Sequence, residues 1–401
     1  MSITNETLPR PEGPVLLNFS EEEFADRQSR VRRELERREL DGLLVSRIED
    51  QYWLCGLDTQ GFTIFHSMFI GVNGQLTHLS RSADLANIAF SSLCTDVRLW
   101  DDFHGNSRAD AIKDMLKSHG MQGRRIGIEL NSFGFLPDLY LELRAALDGW
   151  CELVDASTVI RDLRLIKSDQ ELQYMRHAGE ILSEACNEAI RMTVPGAYEG
   201  DIVGEFCRVV AARGGDISAN ANFPVGSGPK ALLVRYASGR GIVAERDQVT
   251  FEPGAAYRHY HVANMFTVLT GPEIDQRHLD MHAACVSALS DVQRALRPGN
   301  TFGDLFEAHR QAFIAHGYGH AILQACGYPM GAMWPPTWME KPMISEQEPL
   351  VLAEGMTIFT HMILTDRKAG LTMSLGETAT VTSGAPEVLA PLPRTPIIAA
   401  S

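Results

Sequence analysis

The chain is short of several things, and each shortage excludes a class of protein. It has no run of about 18 apolar residues, so no segment reads as a membrane-spanning helix. Basic residues are in deficit: 36 Lys and Arg against 51 Asp and Glu give a net charge of −15. That balance argues against a nucleic-acid partner, which calls for a basic stripe, and against an anionic membrane surface. The seven cysteines are odd in number, scattered and without a CxxC pair. They predict reduced thiols in a cytoplasmic protein rather than a disulfide framework or a zinc ribbon. The opening "MSITNETLPRPEGP" lacks the charged-then-apolar pattern of a signal peptide. Low-complexity tracts are missing as well.

What is present fills a soluble globular protein of two or three domains, with 45% hydrophobic residues over 401 positions. "SEEEFADRQSRVRRELERRELDG" predicts a helix capped by Ser20, with acids crowding its first turn. "GLLVSR" follows as a buried strand. "HSMFIGV" and "GQLTHLS" form two strands around "VNGQ", and "RADAIKDMLKSHG" is a helix before the strand "RIGIEL". This alternation over 20–155 predicts an α/β domain at 1–160. A long helical region then runs to Pro195-Gly196 and opens a second domain at 161–401. There, helices over 200–212, 278–296 and 301–316 accompany strands over 248–254, 257–270, 356–364 and 373–384. The grouping predicts α+β, with helices covering one face of a curved antiparallel sheet. The tail "APLPRTPIIAAS" is expected to wrap a surface or stay loosely ordered.

The stretch "VTFEPGAAYRHYHVANMFTVLTG" concentrates the chemistry. Alternation puts His259 and His261 on one face of a strand, and Glu252 on its neighbour. A carboxylate and two imidazoles on adjacent strands suit a metal site, an acid/base site or a solvated edge, and the residues alone leave these open.

Five segments in this order resemble the pita-bread-fold family, the relatives of creatinase, aminopeptidase P, prolidase and methionine aminopeptidase. They are "LRLIKSDQELQYMRHAGEI", "SGPKALLVRYASGRGI", "GYGHAI", "LAEGMTI" and "LGETATVTSG". The resemblance implies a C-terminal pita-bread domain preceded by a creatinase-type N-terminal domain, together α+β. The family's peptidases hold two metal ions with two Asp, one His and two Glu. Carried onto this chain, those positions are Glu252, Ala263, His320, His361 and about Gly376, beside Glu377. A methyl group and an imidazole replace two carboxylates, so the expectation is no dinuclear metal and no cofactor. A single ion on Glu252, His320 and His361 is the residual metal option.

Within the family, the metal-free branch typified by ectoine hydrolase is the nearest resemblance. It shares a glutamate at 252, the run Arg258, Tyr260, His261, and a segment like "MWPPTWME". By that resemblance the chain is a metal-independent hydrolase of a C–N bond in a small zwitterionic compound. Glu252 is the base or nucleophile, His320 the acid, and His361 a third catalytic group. Arg235, Tyr260, His261, Trp338, Glu340 and Glu377 are the expected substrate contacts, with Trp334 beside them as an aromatic wall. Phe65 and His66 are expected to reach the site of the partner in a homodimer. Two alternatives stand: a metal-dependent Xaa-Pro dipeptidase or aminopeptidase, and a non-catalytic protein-binding domain of the same fold.

Overall fold

A computed structural model describes residues 5–7, 15–101, 107–220, 224–233 and 239–399. The chain divides into two compact units, Met1–Arg164 and Leu165–Ser401. Among the described residues no helix is long and apolar enough to cross a membrane.

The first unit runs β1 (Asn5–Thr7), α1 (Glu21–Arg37), β2 (Gly42–Val45), α2 (Ile48–Cys55), β3 (Ser67–Gly71), β4 (Leu76–Ser80), α3 (Leu85–Ser91), β5 (Asp96–Leu99), α4 (Arg108–Ser118), β6 (Arg125–Ile128), α5 (Pro137–Leu147), β7 (Glu152–Asp155) and α6 (Val159–Arg164). Its mixed sheet has the order β1-β5-β4-β3-β2-β6-β7. The Ser20 side chain caps α1 by accepting from Glu23 N–H, as its sequence predicts. The segment "DQYWLC" folds as α2, buried along its whole length.

Where β2 and β6 end, side by side, this unit buries a carboxyl pair. Ser46 and Arg47 N–H donate to Glu129 Oε2 at 2.9 and 3.0 Å. Arg164 donates to Asp50 Oδ1 at 2.8 Å. The two remaining oxygens, Asp50 Oδ2 and Glu129 Oε1, are buried and reached by no donor. One proton satisfies both. Burial first, and then the charge of Asp50, push Glu129 well above the usual carboxylate range, whereas Arg47 and Arg164 hold Asp50 below it against the cost of burial. Glu129 is therefore the protonated partner and Asp50 the ionised one.

The second unit holds α7 (Asp169–Met192), α8 (Glu199–Ala212), β8 (Asp216–Ile217), β9 (Val225–Ser227), β10 (Gln248–Phe251), β11 (Gly254–Tyr257), β12 (Tyr260–Leu269), α9 (Gln276–Ala295), α10 (Phe302–Ala315), β13 (Gly327–Pro329), β14 (Thr357–Asp366), β15 (Leu371–Thr380), β16 (Glu387–Val388) and β17 (Ile397–Ile398). The helical region expected as one piece is two helices. Ser168 and Glu171 form a reciprocal capping box that starts α7 afresh after α6. The main sheet runs β13-β14-β15-β12-β10-β9, antiparallel along this path. Helix α7 covers β11 and β12, and α9 covers β14 and β15.

The strand expected over 257–270 is broken by a turn. Arg258 and His259 have φ of 53° and 67°, the left-handed pair of a two-residue hairpin between β11 and β12. Neither is glycine, so the sequence carries no turn signal. Long-range contacts hold the conformation: His259 N–H donates to Asp216 Oδ2 at 2.9 Å, and its ring stacks on Trp334 at 3.9 Å.

Glu129→Gln keeps the acceptor for Ser46 and Arg47 and donates an amide hydrogen to Asp50. In the wild type the folded state holds a proton that the unfolded chain releases above about pH 4.3, so stability falls as pH rises toward the folded pKa. The variant lacks that slope. Its advantage over the wild type grows by about 1.4 kcal/mol per pH unit until Glu129 itself ionises. Hydrogen exchange of peptides covering 42–55 between acid and mildly alkaline pH measures it; parallel pH profiles for the two proteins would refute the shared proton.

Candidate functional site

Strand alternation puts every second residue on one face, and the register across four strands lines those residues up. Met265 pairs with Gly376, and Gly376 with His361. Glu252 lies one residue beyond the pairing of Phe251 with Phe266, which sets it opposite Met265. Glu252, Met265, Gly376 and His361 thus form one row on the face turned away from α7 and α9. The next row toward the sheet's edge is Thr250, Thr267, Ser374 and Ile363. A narrow cleft over these rows is lined by Glu252, Thr250, Met265, Ser374 and Ile363 below and by the segment 224–233 above, with about 30 Å³ of room inside it.

Hydrocarbon occupies the middle of the first row. A Cβ on Gly376 would meet Met265 Cβ and Phe359 Cζ, both at 3.1 Å, and Thr360 O at 2.9 Å. The space a longer side chain would need at 376 is filled, and Ala263 is a fully buried methyl group. Two divalent ions require several anionic oxygens, some of them bridging. This row offers one carboxylate and one imidazole. Among the described residues no three His, Cys, Asp or Glu side chains are grouped to hold a metal ion. The residues present do not fit a dinuclear metal centre.

His361 ends the row, ringed by Tyr328 at 5.9 Å and Phe359 at 5.7 Å. Burial pushes its pKa down to about 4, so the ring is neutral at pH 7, and its buried Nδ1 has no hydrogen-bond partner. A neutral imidazole there accepts a proton or a hydrogen bond; it has none to give as an acid. His309 of α10, likewise buried and pushed down to about 4, is a second such ring that the helical pattern disguised as core. His320 sits on the exposed single turn Gly319–Ala321 and does not line the Glu252 cleft.

Several expected substrate contacts are committed elsewhere. Ala219 N–H donates to His261 Nε2 at 2.8 Å, and His261 Nδ1 donates to the His259 carbonyl at 2.7 Å. Both ring nitrogens are spent on backbone, so His261 braces the hairpin rather than facing a ligand. Tyr260 projects to the opposite side and donates to Glu171 Oε1 at 2.6 Å, tying β12 to the start of α7. Glu377 also faces the helices. Arg394 donates to both its oxygens at 2.7 Å, joined by Gln293 Nε2 and Leu392 N–H. A one-residue shift separates it from the row containing Gly376, and period-two alternation sends it through the sheet. The Trp338 ring lies against Gly254, and its Nε1–H donates to Tyr328 Oη at 2.9 Å. Glu340 is buried beside Gly331, where a Cβ would lie 3.1 Å from its Oε1 and 3.6 Å from Lys167 Nζ.

In the first unit, Phe65 packs into the core against Trp100 and Phe135, and His66 Nδ1 pairs with Gln51 Oε1 at 3.0 Å. Both side chains are buried in this unit, with His66 Nε2 reached by no hydrogen-bond partner. Arg235 lies outside the described residues.

Arg394→Met leaves the buried Glu377 carboxylate short of its charged partner. Breaking a buried pair costs about 3–5 kcal/mol; Arg394 is partly exposed, so the expected loss in urea unfolding is about 2 kcal/mol. KM and kcat for any substrate the protein turns over should stay within about twofold, a bound that a substrate role for Glu377 would break.

Comparison with known proteins agrees with this architecture. The profile of metallopeptidase family M24 matches residues 173–383, and that of the creatinase/prolidase N-terminal domain matches 27–166. The ectoine hydrolase of Halomonas elongata is 26% identical over 95% of this chain and 98% of its own. The Xaa-Pro dipeptidase of Pyrococcus horikoshii is 25% identical over 59% of this chain and 64% of its own. Among solved structures, the dipeptidase PepE from Mycobacterium ulcerans superposes with a TM-score of 0.82 at 22% identity, covering 95% of this chain and 99% of that one. With more than half of its length matched by the family profile, and with the two-unit fold to go with it, the chain belongs to metallopeptidase family M24.

Proposed function

We propose that this protein is a metal-independent hydrolase that opens a C–N bond in a small zwitterionic compound, a cyclic amidine such as ectoine being the leading candidate. The observation that carries the reading is the row Glu252, Met265, Gly376, His361: a lone carboxylate and a neutral imidazole separated by hydrocarbon, where the family's peptidases gather charge for two ions. The full-length similarity to an ectoine hydrolase supports the substrate class.

In this reading Glu252 works on the planar carbon between two nitrogens. It deprotonates a water that attacks that carbon, or attacks directly and is released by water. Addition places a proton on the ring nitrogen, the C–N bond breaks, and an amide remains. His320 lies outside the cleft, so the proton for the departing nitrogen is the one Glu252 takes from the attacking water. His361, held neutral, accepts a hydrogen bond from the adding water or from the substrate's N–H. Assembly as a homodimer belongs to the same proposal and is checked by sedimentation.

The second reading is a metal-dependent Xaa-Pro dipeptidase, which the similarity to Pyrococcus enzymes favours. The two separate cleanly. On the first reading, protein purified without chelator carries far less than one metal ion per chain, and EDTA leaves ectoine hydrolysis unchanged. Glu252→Gln lowers kcat by about a thousandfold, the loss of a base or nucleophile, while thermal unfolding moves little. Stoichiometric manganese, cobalt or zinc with chelator-sensitive cleavage of Xaa-Pro dipeptides would decide for the second.

A further inference from the structure

The cleft beside Glu252 has a floor of hydroxyls, and their protons can be counted. Thr250 Oγ1 lies 3.5 Å from Thr267 Oγ1, which lies 3.1 Å from Ser374 Oγ. Thr267 Oγ1 also accepts from Ser374 N–H at 3.0 Å. Three hydroxyl protons therefore serve two contacts. If the chain runs from Thr250 through Thr267 to Ser374, the proton of Ser374 is left over; run in reverse, that of Thr250 is left over. Both residues line the cleft. The neighbouring Thr365 and Thr372 also line it, but theirs are committed. Thr372 donates to Leu364 O at 3.0 Å, which makes Thr365 the donor in their 3.4 Å contact.

We infer that Ser374 and Thr250 are specificity-determining residues: the spare hydroxyl proton at one end of their chain binds the carboxylate of the substrate while Glu252 works at its nitrogen-bearing carbon. Ser374 and Glu252 lie two strands apart, on the order of 10 Å between main chains, so a ligand held at Ser374 presents its far end to Glu252. Among the described residues the lining carries one acid, Glu252, and one base, Lys230. A zwitterion entering with its carboxylate over Ser374 thus meets a donor there and an acceptor at its cationic part. A ligand that presents a second cationic group to the floor finds an unmatched donor.

The inference rests on the hydrolase reading for the role of Glu252, and its test is arranged to stand apart from it. Ectoine and L-proline, each a ring carboxylate, are titrated calorimetrically into the protein carrying Glu252→Gln, alongside the carboxamide of each. Adding Ser374→Ala should weaken binding of the carboxylates by about tenfold or more, the usual loss for a hydrogen bond to a charged group. The carboxamides should lose about threefold or less, as expected for a neutral hydrogen bond. Ser374→Thr should restore most of the affinity, and Thr365→Val should leave it within about twofold because that hydroxyl is already used. Equal losses for acid and amide, or an unchanged affinity in both Ser374→Ala and Thr250→Val with intact folding, overturn the inference, as does failure of both carboxylates to bind at all. If ectoine binds with this pattern yet wild-type protein does not hydrolyse it, the hydrolase reading fails and the carboxylate assignment stands.

Discussion

The register of β12 against β15 and of β15 against β14 is the constraint on which the rest depends. It puts Met265, Gly376 and His361 in line, and it sends Glu377 to the other face. Because side chains alternate with period two, a slip of one residue exchanges the two populations completely. Glu377 would enter the cleft and Gly376 would face α9. The slip is blocked by what Glu377 meets behind the sheet: a bidentate arginine, a glutamine amide and a backbone N–H. A buried carboxylate with four hydrogen bonds costs little in place and a great deal anywhere else. The charge that reads as a substrate contact is thus the pin that keeps the cleft's own residues in position.

The cleft itself works with little charge. Hydrocarbon from Met265 and Phe359 closes the centre of the row, while hydroxyls of Thr250, Thr267 and Ser374 line the next. Hydroxyls bind either end of a dipole but hold a doubly charged cation poorly; hard ions prefer anionic oxygen. The two neighbouring rows therefore specialise. One presents a carboxylate against an apolar background, and the other presents neutral hydroxyls.

Much of the fold is legible in the chain. The Ser20 cap, the "VNGQ" hairpin and the helix endings all carry local signals that survive tertiary contact, and the ordered run of five segments points to the architecture. The site is less legible, for identifiable reasons. Glu377 and Gly376 are neighbours in sequence, and only the register tells which one faces the cleft. Arg258 and His259 occupy a turn that ordinarily demands glycine or asparagine, and the contacts that hold His259 there come from Asp216 and Trp334, 43 and 75 positions away. His261 looks like a ligand-facing residue in an alternating strand; its two backbone partners include Ala219, which no periodicity can connect to it. Ser374 and Thr250 are ordinary strand hydroxyls until three strands are laid side by side.

The clasp on Glu377 also orders the chain in time. Chains emerge from the ribosome N-terminus first, so β15 exists before Leu392 and Arg394 do. Until that later segment arrives, burying β15 against α9 means burying a carboxylate that lacks its charged partner. Until then the central sheet is less stable by about the 2 kcal/mol that the arginine contributes. Docking of the last stretch thus adds the closing increment of stability to the strands that precede it.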